Sequence, residues 1–378
     1  MGDSLRDLFL LDPNVHFLNH GSFGACPRPV FDEYQRWQRE LERQPVAFFR
    51  RADGLLAEAR AALGRYLNAD PDSLLFVPNA TTGLNIFIRS LRLQPGDEIL
   101  TTNHEYGALN RTWEFVCGKT GARYIQHPIA LPASSRAAIV ESFWAAVTPR
   151  TRVIFLSHIT SPTALILPIE EICRRARAAG IMTVIDGAHA PGQVPVDLAA
   201  LDVDCYSGNC HKWLCAPKGS AFLWVRPEHQ LMMEPLVVSH GWRPEASFQE
   251  RHSWQGTRDL SAFLTVPAAI EFQRRHDWEA VRRRCHALAS EARQRLANLF
   301  GLPPLTPDSP EWFGQMITLP LPPCDLAELK RRLYDEHQVE APAIGWQGMH
   351  GIRLSFQGYN SRDDLDAAVA ALADLLPH

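Results

Sequence analysis

Lys212 stands in the run Tyr206-Ser-Gly-Asn-Cys-His-Lys-Trp213, in a 378-residue chain where lysine is rare. Only Lys119, Lys218 and Lys330 accompany it; the rest of the 38 basic residues are arginine. Upstream, Val184-Ile-Asp-Gly-Ala-His189 is a strand-like segment ending in the acid Asp186. An amine that can lose its proton, near a carboxylate that keeps its charge, suits a pyridoxal 5'-phosphate site. The lysine forms the Schiff base, and the acid keeps the pyridine nitrogen protonated so that the ring draws electrons from the substrate. Arginine cannot take the lysine's place, because its guanidinium stays charged and is not nucleophilic.

Other runs supply parts that such a site needs. Asn79-Ala-Thr-Thr-Gly-Leu84 follows a strand and opens a helix, so its N–H groups and the hydroxyls of Thr81 and Thr82 form a phosphate seat. Either threonine is equally an N-cap. Tyr106, in Asn103-His-Glu-Tyr-Gly-Ala108, follows another strand and either stacks on a heteroaromatic ring or packs in the core; His104 is the second choice there. His189 either donates to the cofactor's phenolic oxygen or caps the turn after Asp186. In Gly351-Ile-Arg-Leu-Ser-Phe356 the period of two sets Arg353 and Ser355 opposite an apolar face. Arg353 there suits bidentate binding of a substrate carboxylate, with a surface salt bridge as the alternative.

The elements that position these residues are those of an α/β chain. Strands are expected at Leu74–Val77, Glu98–Thr102, Arg123–His127, Val153–Ser157, Met182–Ile185, Val203–Tyr206 and Ala221–Val225, alternating with helices. This is a mostly parallel seven-stranded sheet flanked by helices. The reading divides the chain into an N-terminal arm (1–30), a large cofactor-binding domain (31–264) and a smaller α+β domain (265–378). In the last, a helix spans Trp278–Phe300, strands lie at Gln315–Leu319, near Val339 and at Ile352–Phe356, and Ser361-Arg-Asp-Asp364 opens the closing helix with a capping box.

Composition sets the remaining bounds. A net charge of −4 gives no general attraction to nucleic acid or to an anionic membrane. No apolar run approaches the roughly 20 residues that span a bilayer, and Met1–Asp7 has no apolar core of a secretory signal. Eight scattered cysteines in such a chain indicate reduced thiols in the cytoplasm. Cys205, Cys210 and Cys215 are separated by four residues each, unlike the paired spacing of structural zinc, so no metal is expected.

Taken in order, these motifs resemble the class V aminotransferase group of fold-type I pyridoxal phosphate enzymes. The likeness runs from Phe17-Leu-Asn-His-Gly-Ser-Phe-Gly24 to the C-terminal helix and is strongest to the isopenicillin N epimerase-like branch, a neighbour of the cysteine desulfurases. The resemblance implies that Lys212 and Tyr106 are catalytic. It implies that Thr81, Thr82, Tyr106, Ser161, Asp186, His189, Asn209, His211 and Lys212 hold the cofactor, and that Asn19 and Arg353 bind the substrate carboxylate. Thr257, in Trp254-Gln-Gly-Thr-Arg-Asp259, would reach the cofactor phosphate of a neighbouring subunit, so a homodimer is implied. A cysteine desulfurase needs a nucleophilic cysteine shortly before the carboxylate arginine, and Val339–His350 contains none. Epimerase-type chemistry at Cα comes first. C–S cleavage by β-elimination is the alternative, followed by amino transfer and, last, a non-enzymatic cofactor-binding module.

Overall fold

The computed structural model describes residues 5–377. Seven strands form one sheet in the order Leu74–Val77, Ala221–Val225, Cys205–Asn209, Met182–Asp186, Thr151–Ser157, Glu98–Thr102 and Arg123–His127. Ala221–Val225 runs antiparallel to both neighbours, and every other pairing is parallel. Apart from the partly exposed edge strand Arg123–His127, the strands are buried on both faces because successive side chains enter opposite cores. Ile154 and Leu156 join one apolar cluster, Val153 and Phe155 the other. This explains why the inner strands read as mostly apolar runs instead of alternating ones, whereas the edge strand Arg123–His127 keeps polar residues.

Four of the expected strands have the bounds found here. The largest shift is in Val203–Tyr206, which is found at Cys205–Asn209. Asp204 does not enter the ladder, since its carboxylate accepts from Thr183 N–H at 2.8 Å and from Thr183 Oγ1 at 3.1 Å. The strand instead continues through polar Ser207-Gly-Asn209, whose ladder bonds are made by backbone and are invisible to hydropathy. In register, Ser157, Asp186 and Ser207 lie side by side at the sheet's carboxyl edge.

Helices Arg28–Arg43 and Pro45–Leu67 precede the sheet, and proline near each start supplies the preset φ of a first turn. Trp278–Phe300 is helical as expected, and Arg362–Leu375 begins with the expected capping box from Ser361 and Asp364. The C-terminal part contains a three-stranded antiparallel sheet in the order Ala343–Trp346, Met349–Ser355, Met316–Pro320. Ala343–Trp346 is a strand that sequence reasoning missed. It turns into its partner through Gln347 and Gly348, both at positive φ (47° and 79°). That backbone suits the primed hairpin turns, whose usual sequence signal is Asn-Gly.

Gly187 shows how tightly the site's floor is built. A Cβ there would lie 2.1 Å from the Tyr206 ring, which is fully buried and bonded through its hydroxyl to His158 Nδ1 at 2.9 Å. Gly187→Ala is expected to destabilise the fold by about 1–3 kcal/mol, the usual cost of overpacking. Urea melts of the cofactor-free protein would measure it, and an unchanged midpoint would contradict the packing described.

Candidate active site

In an open α/β sheet, ligands collect outside the carboxyl ends of the strands. A cavity of about 520 Å³ opens there. Nine of the site residues read from the sequence line it: Thr81, Thr82, Tyr106, Ser161, Asp186, His189, Asn209, His211 and Lys212. Ser22, Phe23 and Ser157 also contribute, and sequence reasoning did not single them out.

Lys212 Nζ lies 3.2 Å from His189 Nε2. Trp213 Nε1–H donates to His189 Nδ1 at 3.2 Å, so the neutral imidazole carries its proton on Nε2. Burial holds that ring neutral by pushing its pKa well down, and any charge on Lys212 would push it the same way. Nε2–H therefore donates to the Lys212 nitrogen, which must offer a lone pair. Burial, and then the Arg353 charge, pushes the Lys212 amine down from the ordinary lysine range, while Asp186 opposes them. Hydrogen bonding and electrostatics both favour a nucleophilic amine.

Asp186 ends its strand and accepts from Ala188 N–H at 2.9 Å. Burial raises its pKa, because an ionised carboxylate is poorly solvated there. A cationic ring nitrogen beside it would reverse that effect and be held protonated in turn.

The helix Ala80–Ser90 starts at the cavity wall. The sequence points to Thr81 or Thr82 as its cap, but Asn79 takes that place, accepting from Thr82 N–H at 2.8 Å and Thr82 Oγ1 at 3.0 Å. Both threonines thus fall in the first turn. Asn209 Oδ1 accepts from Ala80 N–H at 2.8 Å, so this residue buttresses the helix start. His211 Nδ1 lies 2.8 Å from the carbonyl of Ser220, to which it donates.

Arg353, on the C-terminal sheet, is buried and does not itself line the cavity, but it is bonded to two residues that do. Its Nη1 donates to Ser161 O at 2.8 Å and Ser161 Oγ at 3.2 Å, and Nη2 to Ser22 Oγ at 3.1 Å. Its Nε is buried with no partner among the described residues. Burial draws the guanidinium down to about 10, so it stays charged at neutral pH. An anchored cation with a spare donor can take a carboxylate.

Asn19 does not line the cavity and is linked to this arginine through Ser22. Its amide donates to Glu340 Oε1 at 2.8 Å, and its oxygen accepts from Ser22 Oγ at 2.5 Å. Tyr106 is 46% exposed on the cavity wall. His104 is turned away, bonded to Thr163 Oγ1 and Ile129 O, with its ring 4.3 Å from that of Trp346. Thr257 is exposed and does not line the cavity.

The residues present fit pyridoxal 5'-phosphate. A reactive amine, a buried carboxylate and a helix start with two hydroxyls surround one cavity, with an incompletely satisfied arginine at its edge. Fold and site together define a pyridoxal phosphate-dependent enzyme of fold type I.

Comparison with known proteins gives the narrower identification. The family model described as Aminotransferase class-V matches residues 28–368. An isopenicillin N epimerase of Streptomyces clavuligerus is 37% identical, with 98% of this chain and 97% of the relative aligned. A putative L-cysteine desulfhydrase of Oryza sativa subsp. japonica is 33% identical over 88% of this chain and 73% of its own length. The apo structure of a cysteine desulfurase from Thermococcus onnurineus NA1 shares the fold, with a TM-score of 0.85 at 18% identity, covering 98% of this chain and 97% of that one. The chain belongs to the class-V aminotransferase family.

Proposed function

We propose that this enzyme carries out epimerase-type chemistry at the Cα of an amino-acid substrate. The observation that carries this reading is the 37% identity to an isopenicillin N epimerase over nearly the full length of both chains. Bound pyridoxal phosphate supplies an electron sink that makes a bond to Cα labile. Arg353 and Asn19 hold the substrate carboxylate and so fix which bond is presented. Lys212 Nζ, unprotonated in its pairing with His189, takes or returns the Cα proton on one face. Tyr106 or a water serves the opposite face. Thr81, Thr82, Asn209 and His211 would hold the phosphate of bound cofactor, Asp186 would serve its ring nitrogen and His189 its phenolic oxygen, and Ser161 steadies Arg353.

The proposal includes a homodimer in which Thr257 reaches the partner's cofactor; its exposure outside its own cavity supports this. The division at 264/265 is retained, with the arm 1–30 crossing between the two larger parts; its residues 1–4 lie outside those described. No helix among the described residues is long and apolar enough to cross a membrane. The eight free cysteines support a cytoplasmic location.

β-Elimination is the second reading, favoured by the 33% identical desulfhydrase. It needs Lys212 and no cysteine nucleophile, and no cysteine lines the cavity among the described residues. Holoenzyme would be given a panel of L-amino acids and cysteine conjugates in deuterium oxide. The expected result is deuterium at Cα with loss of chirality. Pyruvate with released thiol or sulfide would replace the epimerase reading with the lyase.

A further inference from the structure

The short helix His20–Phe23 touches both working ends of the site. His20 is fully buried, and burial pushes its pKa down to about 3, so the ring is neutral. Ala25 N–H donates to its Nδ1 at 3.3 Å, and a backbone amide can only donate. The ring proton therefore sits on Nε2, and the Tyr359 hydroxyl, 3.1 Å from Nδ1, must donate as well. Nε2–H then donates to the backbone carbonyl of Lys212 at 2.9 Å. Gln357 Nε2, 3.2 Å from the same ring nitrogen, also reaches the Cys215 sulfur at 3.7 Å, where its hydrogen has an acceptor.

Two residues on, Ser22 Oγ accepts from Arg353 Nη2 and donates to Asn19 Oδ1. The turn is wedged in place. At Gly24 (φ 71°) a Cβ would lie 2.1 Å from His211 O, and at Gly21 it would lie 2.7 Å from the Met316 sulfur.

We propose that His20 is a positioning residue for Lys212, and that the turn His20–Phe23 is a strut setting the amine against the carboxylate-binding arginine. His20 fixes the backbone from which the amine projects; Ser22 fixes the guanidinium. The inference rests on the assignment of Lys212 as the cofactor-bearing lysine, and it is independent of which Cα bond is broken.

Glutamine can place an amide N–H where the imidazole Nε2 stands, whereas asparagine reaches only as far as Nδ1. His20→Gln should therefore restore what His20→Asn loses. Apo-protein would be mixed with pyridoxal phosphate, and the growth and pH titration of its visible absorbance followed. His20→Asn is expected to slow cofactor capture about tenfold, the scale of one buried hydrogen bond, and to move the titration midpoint, with His20→Gln close to wild type. Ser22→Ala should leave that titration in place and raise KM for the amino-acid substrate about tenfold.

Asparagine and glutamine variants that behave alike would overturn the role of His20. An unchanged KM in Ser22→Ala would overturn the strut, and this arm holds even if His20→Asn does not fold. Failure of the lysine assignment itself reads differently: Lys212→Ala would then keep the visible absorbance that the His20 variants only shift.

Discussion

Lys212→Ala is expected to bind pyridoxal phosphate without the visible absorbance of the covalent lysine adduct, and to lose activity by at least about 10²–10⁴-fold, the range for a removed acid–base group. The effect is large because no other lysine can substitute. Lys218 is six residues downstream but exposed, and Lys119 lies over the Phe115 ring at 4.3 Å on an outer helix. Lys330 lies on the helix Leu326–His337, bordering a different surface cavity. Borohydride treatment of the wild-type holoenzyme followed by peptide mapping should therefore label Lys212 alone. Fold loss is a poor competing explanation, since alanine leaves the backbone bond from His20 to the Lys212 carbonyl in place. A variant that keeps the visible absorbance would remove Lys212 from the centre of the chemistry.

How much of this could be read from the chain depends on how far apart the cooperating residues lie. Asp186 ends a buried strand, and His189 and Lys212 sit just after buried strands, where residue type and strand end are both local signals. The sheet puts those ends together without help from any particular side chain. The helix start was half legible. Asn79-Ala-Thr-Thr marks a first turn, yet threonine and asparagine are both good caps, and only the structure shows Asn79 taking the place.

Ser22 lay beyond such reading. Its partner Arg353 is 331 residues away, and serine beside glycine in an irregular segment has no period to give it direction. His20 was hidden for the same reason, because its partners Lys212 and Tyr359 come from distant parts of the chain. Trp346 donates to Asn103 O at 3.1 Å, a contact made by the hairpin that sequence did not reveal.

Asp186→Asn should separate function from stability. The amide is nearly the same shape and can still accept from Ala188 N–H, so the change removes charge and little else. Without a carboxylate facing the ring nitrogen, kcat is expected to fall on the order of 10²–10³-fold, the scale of one preorganised electrostatic contact. Stability of the apo-protein should move the other way. Burial raises the Asp186 pKa from 3.8 to about 6, and Lys212 only partly offsets this. Between those values the folded state binds more protons than the unfolded state, so stability falls as pH rises through the window. Above it, the wild-type apo-protein carries a buried carboxylate, and near pH 8 Lys212, pushed down to about 7, is mostly neutral and a weak partner. The asparagine variant has no such charge to bury. Its apo form should melt above wild type at pH 8, with the gap closing towards pH 5 as the wild-type carboxyl takes up its proton. A gap that stayed constant with pH would show that Asp186 is not the titrating group. A variant with full activity would show that its charge does not support the reaction. The expected combination, a steadier apo-protein and a crippled enzyme, is what a carboxylate kept in an unfavourable place for its cofactor should produce.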